Sequence, residues 1–453
     1  MRRAKRSRGR RSILLPRHGP AADRFLESRR ALLPNGVTAV VARTPGLHSA
    51  MLAVYVRAGS RYESARLNGI SHFLEHLLFR GSEGYPDTLR MNAAVESAGG
   101  SLNAVTARDY SCYYTPIHPG AVETGIAVLG DLIRRPLFRD LDLERQVILE
   151  EILDEVDSGG RDVDPDNLAK RMAFGSHPLG FKIAGTPRTI RSLRAPDIRA
   201  HHAQFYTGPN VVLAAAGPVS FGEVLDVAER HFGAIPAGAV SPASPAPRWP
   251  AGPLLKAISH ENAQAEFTLA FPSVPEQHPD HPAALCLRRL LDDGLSSRLP
   301  YEIVERKGLA YSIHCGLETY EDTGLFSFDG ACSPPNLDRV IGELLGVLTT
   351  LCREVVPPDE LDRAQRRHRM SLTFALDNPQ DLAGWFGTGE ILGCPEKLEE
   401  RCLRVERVKP ADVQRVARST FRKRNVVGVV VGPNGPRLRR LLARSIASSD
   451  LPR

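Results

Sequence analysis

Asn210-Val211-Val212-Leu213-Ala214-Ala215-Ala216-Gly217-Pro218 recurs later in the chain as Asn425-Val426-Val427-Gly428-Val429-Val430-Val431-Gly432-Pro433. Each copy is a short apolar run stopped by Gly-Pro, the pattern of a buried strand. Each follows a helical stretch opened by proline and aspartate, Pro196-Asp197 in the first and Pro410-Ala411-Asp412 in the second. One such match is weak. Its return near the end of both halves predicts a duplicated domain.

The division between the copies is also legible. Pro236 to Pro253 contains Pro242, Pro245, Pro247 and Pro250 among Ala, Ser and Gly. Proline at that density fits neither a helix interior nor a central strand, so the segment predicts an extended surface linker. With 453 residues the chain is long enough for two to four domains. The expected organisation is a tail over 1–30, a first domain over 31–235, a linker over 236–253 and a second domain over 254–445. Within the first domain, Gly36–Val41 and Ala50–Val56 are strand-like, and Ser101–Thr106 and Ser111–Thr115 alternate like strands. Helical patterns fall at about 68–80, 88–98, 119–134 and 141–157. Clustered strands with long helices beside them predict an α+β fold.

Composition narrows the classes. Arg2, Arg3, Lys5, Arg6, Arg8, Arg10, Arg11 and Arg17 lie in the first 18 residues with no acid. Without those eight charges the net +7 becomes −1, so the basicity belongs to a tail and the body is near neutral. Ile13-Leu14-Leu15 is too short for the apolar core of a signal peptide. The tail is read as solvated chain, an arginine-rich organelle presequence, or an arm for an anionic surface. Membrane is not expected as a partner, because no apolar run approaches the roughly 20 residues that span a bilayer, nor is nucleic acid, because the body is near neutral. The seven cysteines are scattered, with no CxxC or CxxH spacing. That argues against a thiolate zinc site and a disulfide framework and fits a reducing compartment. Bacterial cytoplasm is the expected location, with the mitochondrial matrix as the alternative.

The chemistry lies in Asn68-Gly69-Ile70-Ser71-His72-Phe73-Leu74-Glu75-His76-Leu77-Leu78-Phe79-Arg80-Gly81. The segment reads as one helix, capped by Asn68 and ended by a left-handed turn at Gly81. His72 and His76, at i and i+4, share a face and can grip one zinc ion. Glu75 lies at the edge of that face, placed to reach a water without being a ligand. Catalytic zinc needs a third protein ligand and an open fourth position. In the helical stretch Leu141–Asp157, Glu144 and Glu151 are seven residues apart, about 20° short of two turns, and share a stripe that Glu150 does not. Two carboxylates on one stripe of a helix that looks buried through Val147, Ile148, Leu149, Ile152 and Leu153 call for a cation. Glu151 is the candidate ligand and Glu144 its support. The bland reading of a chance His-x-x-Glu-His string is weakened by that second helix.

These residues resemble the inverted zinc peptidases. More closely, the chain resembles the pitrilysin (M16) family, in the branch of mitochondrial processing peptidase and its bacterial relatives. The likeness runs from about 32 to 440. It is carried by Gly69–Gly81, by Gly99-Gly100-Ser101-Leu102-Asn103-Ala104-Val105-Thr106 with Tyr110–Tyr114, and by Glu144–Ile152. His177-Pro178-Leu179-Gly180, and Gly294–Leu299 with Gly308–Ser312, complete the set. The resemblance implies two homologous domains, each a mainly antiparallel sheet backed by helices, facing each other across a cavity. It implies zinc held by His72, His76 and Glu151, with Glu75 activating water and Glu144 in support. It implies that Asn103 and Ala104 hold a peptide substrate's backbone and that Tyr311 helps bind it. The family pattern places an arginine seven residues before that tyrosine; here Val304 stands there. The zinc-bearing member of a pair is therefore expected, with a homologous partner subunit supplying the Arg/Tyr pair, or a homodimer. The competing reading is a non-enzymatic subunit that binds peptides or scaffolds a partner.

His118, His201 and His202 read as surface or packing residues, His314 and Cys315 as sheet, and Ser296-Ser297-Arg298 as a turn into a helix.

Overall fold

The computed structural model describes residues 26–261 and 263–453. Two sheets organise it. The first holds β1 (Glu27–Leu32), β2 (Thr38–Arg43), β3 (Ala50–Val56), β4 (Asn103–Thr106), β5 (Ser111–Ile117) and β6 (Val211–Gly217), in the order β1-β2-β6-β3-β5-β4. The second holds β7 (Leu254–Ser259), β8 (Ala265–Ser273), β9 (Ser312–Thr319), β10 (Gly324–Cys332) and β11 (Val427–Gly432), in the order β7-β11-β8-β10-β9. Without β1 the two orders match strand for strand. Each sheet has one parallel pair, β2 with β6 and β7 with β11, and every other pairing is antiparallel. The recurring apolar runs are β6 and β11. Each lies between a parallel and an antiparallel neighbour, as uniformly apolar strands do.

The helices repeat in the same way. The first half carries α1 (Ile70–Leu78), α2 (Thr88–Glu96), α3 (Val122–Arg134), α4 (Leu141–Leu153), α5 (Pro165–Phe174), α6 (Pro187–Ser192), α7 (Ala195–Phe205) and α8 (Phe221–Phe232). The second carries α9 (His281–Leu291), α10 (Leu337–Arg353), α11 (Pro358–Ala375), α12 (Pro379–Ile391), α13 (Leu398–Glu406), α14 (Pro410–Thr420) and α15 (Gly435–Ser448). In place of α2 it has a single wide turn, Pro300–Glu305.

All seven residues of β3 and of β6 are buried, although a sheet face needs a cover to be dry. One face packs on the half's own helices, through Leu52, Val54, Phe73, Leu77 and Leu213. The other face, with Met51, Ala53, Tyr55, Ala214 and Ala216, is covered by Leu382, Ala383 and Ile391 of α12, a helix of the second half. The exchange is reciprocal. Leu168, Ala169, Ala173 and Phe174 of α5 cover Ala270, Val427, Val429 and Val431 of the second sheet. Each half thus completes the other's core. Every large apolar side chain buried this way contributes about 1.5–3 kcal/mol. Arg61, 1% exposed, bonds Asp109 of its own half and Asp322 from the turn between β9 and β10, and Arg57 pairs with the adjacent Glu321 at 2.9 Å.

Three local expectations change. The tail expected over 1–30 gives way by Glu27, whose backbone pairs with Arg43 in the β1–β2 ladder; its basic cluster lies outside the described residues. The helix expected over 68–81 spans only 70–78, because Gly69 adopts a left-handed φ of +93° ahead of it. The stretch Leu141–Asp157 is helical only to Leu153, and only Ile148 and Ile152 of its apolar residues are buried. The Pro-rich segment forms no strand or helix before Leu254, but it is tied down. Asn210 bonds Ala239 and Ser241, and Trp249 bonds Asn425. Among the described residues no helix is long and apolar enough to cross a membrane, and all seven cysteines are free.

Candidate metal centre

Helix α1 buries Ile70, Phe73, Leu74, Leu77 and Leu78, spaced i, i+3, i+4, i+7 and i+8. His72, Glu75 and His76 lie at the rim of that buried face, partly exposed. The helix starts against a buried carboxylate rather than under Asn68. Glu63 accepts from Gly69 N at 2.7 Å, from Ser71 N at 2.9 Å and from the Asn68 amide at 3.0 Å. It satisfies the orphan donors that a capping side chain normally takes. Burial pushes the Glu63 carboxyl up to about 7, against those bonds, which pull it down. A Cβ at position 69 would lie 2.7 Å from Ile190 Cδ1 and 2.8 Å from Gly185 Cα, so close approach as well as φ calls for glycine.

Helix α4 lies beside α1. His72 Nε2 is 3.8 Å from Glu151 Oε2, and His76 Nε2 is 3.6 Å from Glu151 Oε1. Donor atoms of the three residues lie within 4.8 Å of one another. A tetrahedral zinc with bonds of about 2.0–2.2 Å separates its donors by roughly 3.3–3.6 Å, so the triangle is near the size required. Glu144, buried about two turns earlier on α4, meets His76 Nδ1 at 2.9 Å and pairs with Arg80. That contact leaves His76 Nε2 directed at Glu151, the arrangement in which a carboxylate fixes the tautomer of a ligating histidine. Burial first, and the neighbouring His76 second, push His72 down to about 4, so its ring is neutral with a lone pair free.

Glu75 points from the same rim to the Thr106 hydroxyl at the end of β4, which donates to it. Burial raises its pKa, and that hydroxyl and His76 oppose the rise. β4 is the last strand of its sheet among the described residues, so α1 abuts a free sheet edge. Asn103 and Ala104 lie on that edge. The Asn103 amide is turned back to Ser101, bonding its carbonyl at 3.0 Å and its hydroxyl at 3.1 Å. Tyr311 is not brought to this cluster by any contact. It is 91% exposed on the loop before β9. Val304 packs on the second half's core, and Arg306 and Lys307 are held by Glu302 and Glu343.

Three participants escaped the sequence reading. Glu63 holds the helix start and Arg80 the far oxygen of Glu144. Arg145 of α4 lies 5.5 Å from the Phe73 ring centroid and donates to the Ile190 and Leu193 carbonyls, locking α4 to α1. Arg80 at i+4 from His76 was the one accessible signal. The other histidines pack as expected. His201 contacts Ser71 at 3.3 Å, His202 meets the Ile133 carbonyl at 2.7 Å, and His118 accepts from Gly120 N. His314 is in β9, and Ser297 caps Asp293.

Comparison with known proteins agrees with this architecture. Residues 38–187 match the model of insulinase (peptidase family M16), and residues 192–367 match that of the peptidase M16 inactive domain. An uncharacterized zinc protease of Mycobacterium tuberculosis is 31% identical over 433 residues, covering 93% of this chain and 97% of that one. The probable mitochondrial-processing peptidase subunit beta of Schizosaccharomyces pombe is 30% identical over 88% of this chain and 90% of its own. Among solved structures, a protease from Helicobacter pylori superposes with a TM-score of 0.81, over 90% of this chain and all of that one, at 21% identity, a likeness of fold. A duplicated α+β frame, a His72/His76/Glu151 triangle on two of its helices, and relatives that share nearly the whole length lead to one assignment: the chain belongs to peptidase family M16.

Proposed function

We propose that this protein is a zinc-dependent endopeptidase that hydrolyses peptides or unfolded segments enclosed between its two domains, as the zinc-bearing subunit of a dimer. The observation that carries the reading is the triangle of His72, His76 and Glu151 with Glu75 beside it at a free strand edge. The donor set fits the metal: two imidazoles, one of them kept neutral by burial, and one carboxylate leave a fourth position open. The zinc-protease names of the relatives support it.

His72, His76 and Glu151 would hold the ion, and Glu144 would keep His76 in the tautomer that presents Nε2. When bound, zinc supplies Lewis acidity, lowering a water's pKa from about 15.7 towards ~7 and polarising a carbonyl. Glu75 takes the proton of the attacking water and returns it to the leaving amine. Burial raises its pKa, and the Thr106 hydroxyl and His76 oppose the rise; proton transfer in both directions is the work of a general acid–base group. The peptide lies as an added strand on β4, held by backbone bonds along Asn103 and Ala104. The exposed, isolated Tyr311 and the inward Val304 favour a second chain for the substrate grip. That chain is a homologous subunit with the Arg/Tyr pair, or a second copy. The free, mostly buried cysteines fit bacterial cytoplasm.

The same isolation of Tyr311 favours the second reading, a subunit that binds peptides without cutting them. Zinc analysis with cleavage of an unfolded peptide, with and without a chelator, separates the two. Glu75→Gln should keep one zinc per chain and lower kcat/KM by about 10²–10⁴-fold. Wild-type activity in that variant defeats the assignment.

A further inference from the structure

Opposite the metal, on the other face of the same edge strand, lies a cavity of about 470 Å³. Its floor is the first sheet, through Tyr55, Val105, Tyr110 and Tyr114; its roof is α12 of the second half, through Gly384 and Trp385. That volume lies in the ordinary range for ligand pockets, roughly 300–1,000 Å³.

Strand register fixes what this cavity adjoins. Thr106 is paired with Ser111 and Ala104 with Tyr113, on the face where Glu75 bonds Thr106. Val105 is paired with Cys112 and Asn103 with Tyr114, on the face of the cavity. Alternate residues of a strand point to opposite faces. A peptide added to β4 would therefore aim every second side chain at the metal face and the intervening ones past Val105. Val105, 47% exposed at the cavity mouth, is the apolar step between them.

The walls are pre-formed. Tyr55 and Tyr110 stand edge to face with centroids 5.4 Å apart. Trp385 donates its ring N–H to the Glu396 carbonyl at 2.8 Å, and Arg401 lies 4.9 Å over its ring. At Gly387 a Cβ would strike the Tyr55 ring at 2.1 Å, so that glycine seats α12 on the sheet. At Gly384, one turn earlier, a Cβ would meet nothing nearer than Tyr55 Oη at 3.9 Å; it would stand in the opening.

We propose that this cavity is a specificity subsite that receives a bulky apolar or aromatic side chain of the peptide strand seated on β4, so that the second half selects the substrate cut by the first. The inference rests on the peptidase reading above.

Labelled decapeptides carrying one Phe moved stepwise through an Ala/Ser/Thr background test it. Binding to the zinc-loaded, full-length Glu75→Gln chain is followed by anisotropy, and cleavage of the same set by the otherwise unaltered chain. Phe should tighten binding about ten- to a hundredfold at positions two apart, and not at the one between. Adding Gly384→Leu should bring that Phe-to-Ala ratio below about twofold, whereas Gly384→Ala, which adds one methyl to the same helix, should keep most of it. A flat positional profile, or a ratio that Gly384→Leu leaves intact, overturns the subsite alone. Absence of both binding and cleavage across the whole set overturns the peptidase reading beneath it.

Discussion

In the first half, the helix that follows β3 presents His72, Glu75 and His76 at its rim; in the second, the helix that follows β8 turns His281, Cys286 and Leu287 into the core. The partner helices differ to match. α4 offers Glu144 and Glu151 to the histidines, whereas α11, in the same place, gives Glu360 to Arg298 through two bonds of 2.9 and 2.7 Å. The frame is the same, and both helices also hold an arginine, Arg80 on Glu144 and Arg298 on Glu360; what the first half adds is the histidine pair facing Glu151. Among the described residues, the duplicated fold carries a candidate metal cluster in one copy only, through a few side chains on two helices. The second copy keeps a structural share, because α12 roofs the first sheet.

The largest effect comes from making the first half resemble the second. His76→Leu removes one donor of the triangle and the partner of Glu144. Zinc content should fall from one per chain towards zero, and peptide cleavage with it, by metal analysis and a fluorogenic substrate. Retained stoichiometric zinc would place the metal elsewhere. A smaller loss is expected one step outward. Glu144→Gln keeps the shape but removes the charge that Arg80 and His76 share, and should weaken zinc affinity by about 10–100-fold in a chelator competition.

The two helices of this site show how much of it the sequence disclosed. Spacings of four and seven residues are local arithmetic on a helix, so the facing of His72 with His76 and of Glu144 with Glu151 was legible before any coordinates. The repeat was legible too, because β6 and β11 are each one uninterrupted apolar run. What was hidden depends on contacts between distant segments. Glu63 was invisible as the cap of α1 because its neighbours in sequence say nothing of where Gly69 and Ser71 lie, and Asn68, in the position a cap would take, was read instead. The exchange of α5 and α12 was hidden for the same reason. An apolar helix face declares that it needs a cover, but not which sheet supplies it. Tyr311 entered through resemblance alone, and its exposure on the loop before β9 needed the fold.

Both halves hold histidines whose pKa burial lowers and that acid would charge, His72 and His201 in the first and His281 and His368 in the second. His281 and His368 of the second half are buried, and burial holds them at about 3 and about 4, well below the usual 6.5. His281 Nδ1 and both nitrogens of His368 have no partner. Folded values below the unfolded one mean that the unfolded chain binds more protons between about pH 6.5 and 4. Stability is therefore complete above 6.5 and falls as the pH drops through that window. His368→Leu should remove up to about 2 kcal/mol of that loss at pH 5, read as a urea midpoint that shifts less than the wild type's between pH 7 and 5. Equal shifts in both chains would mean that His368 is already paired or hydrated.

The smallest effects come from one glycine on each of two equivalent helices, at different positions along them. On α3, a Cβ at Gly125 would lie 2.5 Å from Leu52 Cδ1 and 3.1 Å from Ile117 Cδ1, against the sheet. On α10, Gly346 is exposed and a Cβ there would meet nothing within 4 Å. In a helix interior alanine is favoured over glycine by about 0.8–1.0 kcal/mol through chain entropy alone. Gly346→Ala should gain most of that and raise the urea midpoint slightly. Gly125→Ala has the same intrinsic gain, but it must move the Leu52 side chain within a close-packed core, at about 1–3 kcal/mol. Opposite signs are therefore expected for one chemical change on matching helices of the repeat, at a position facing the sheet in one and solvent in the other. A stabilised Gly125→Ala would mean that Leu52 can swing aside, and that the first half's sheet and helix layer are looser than the second's.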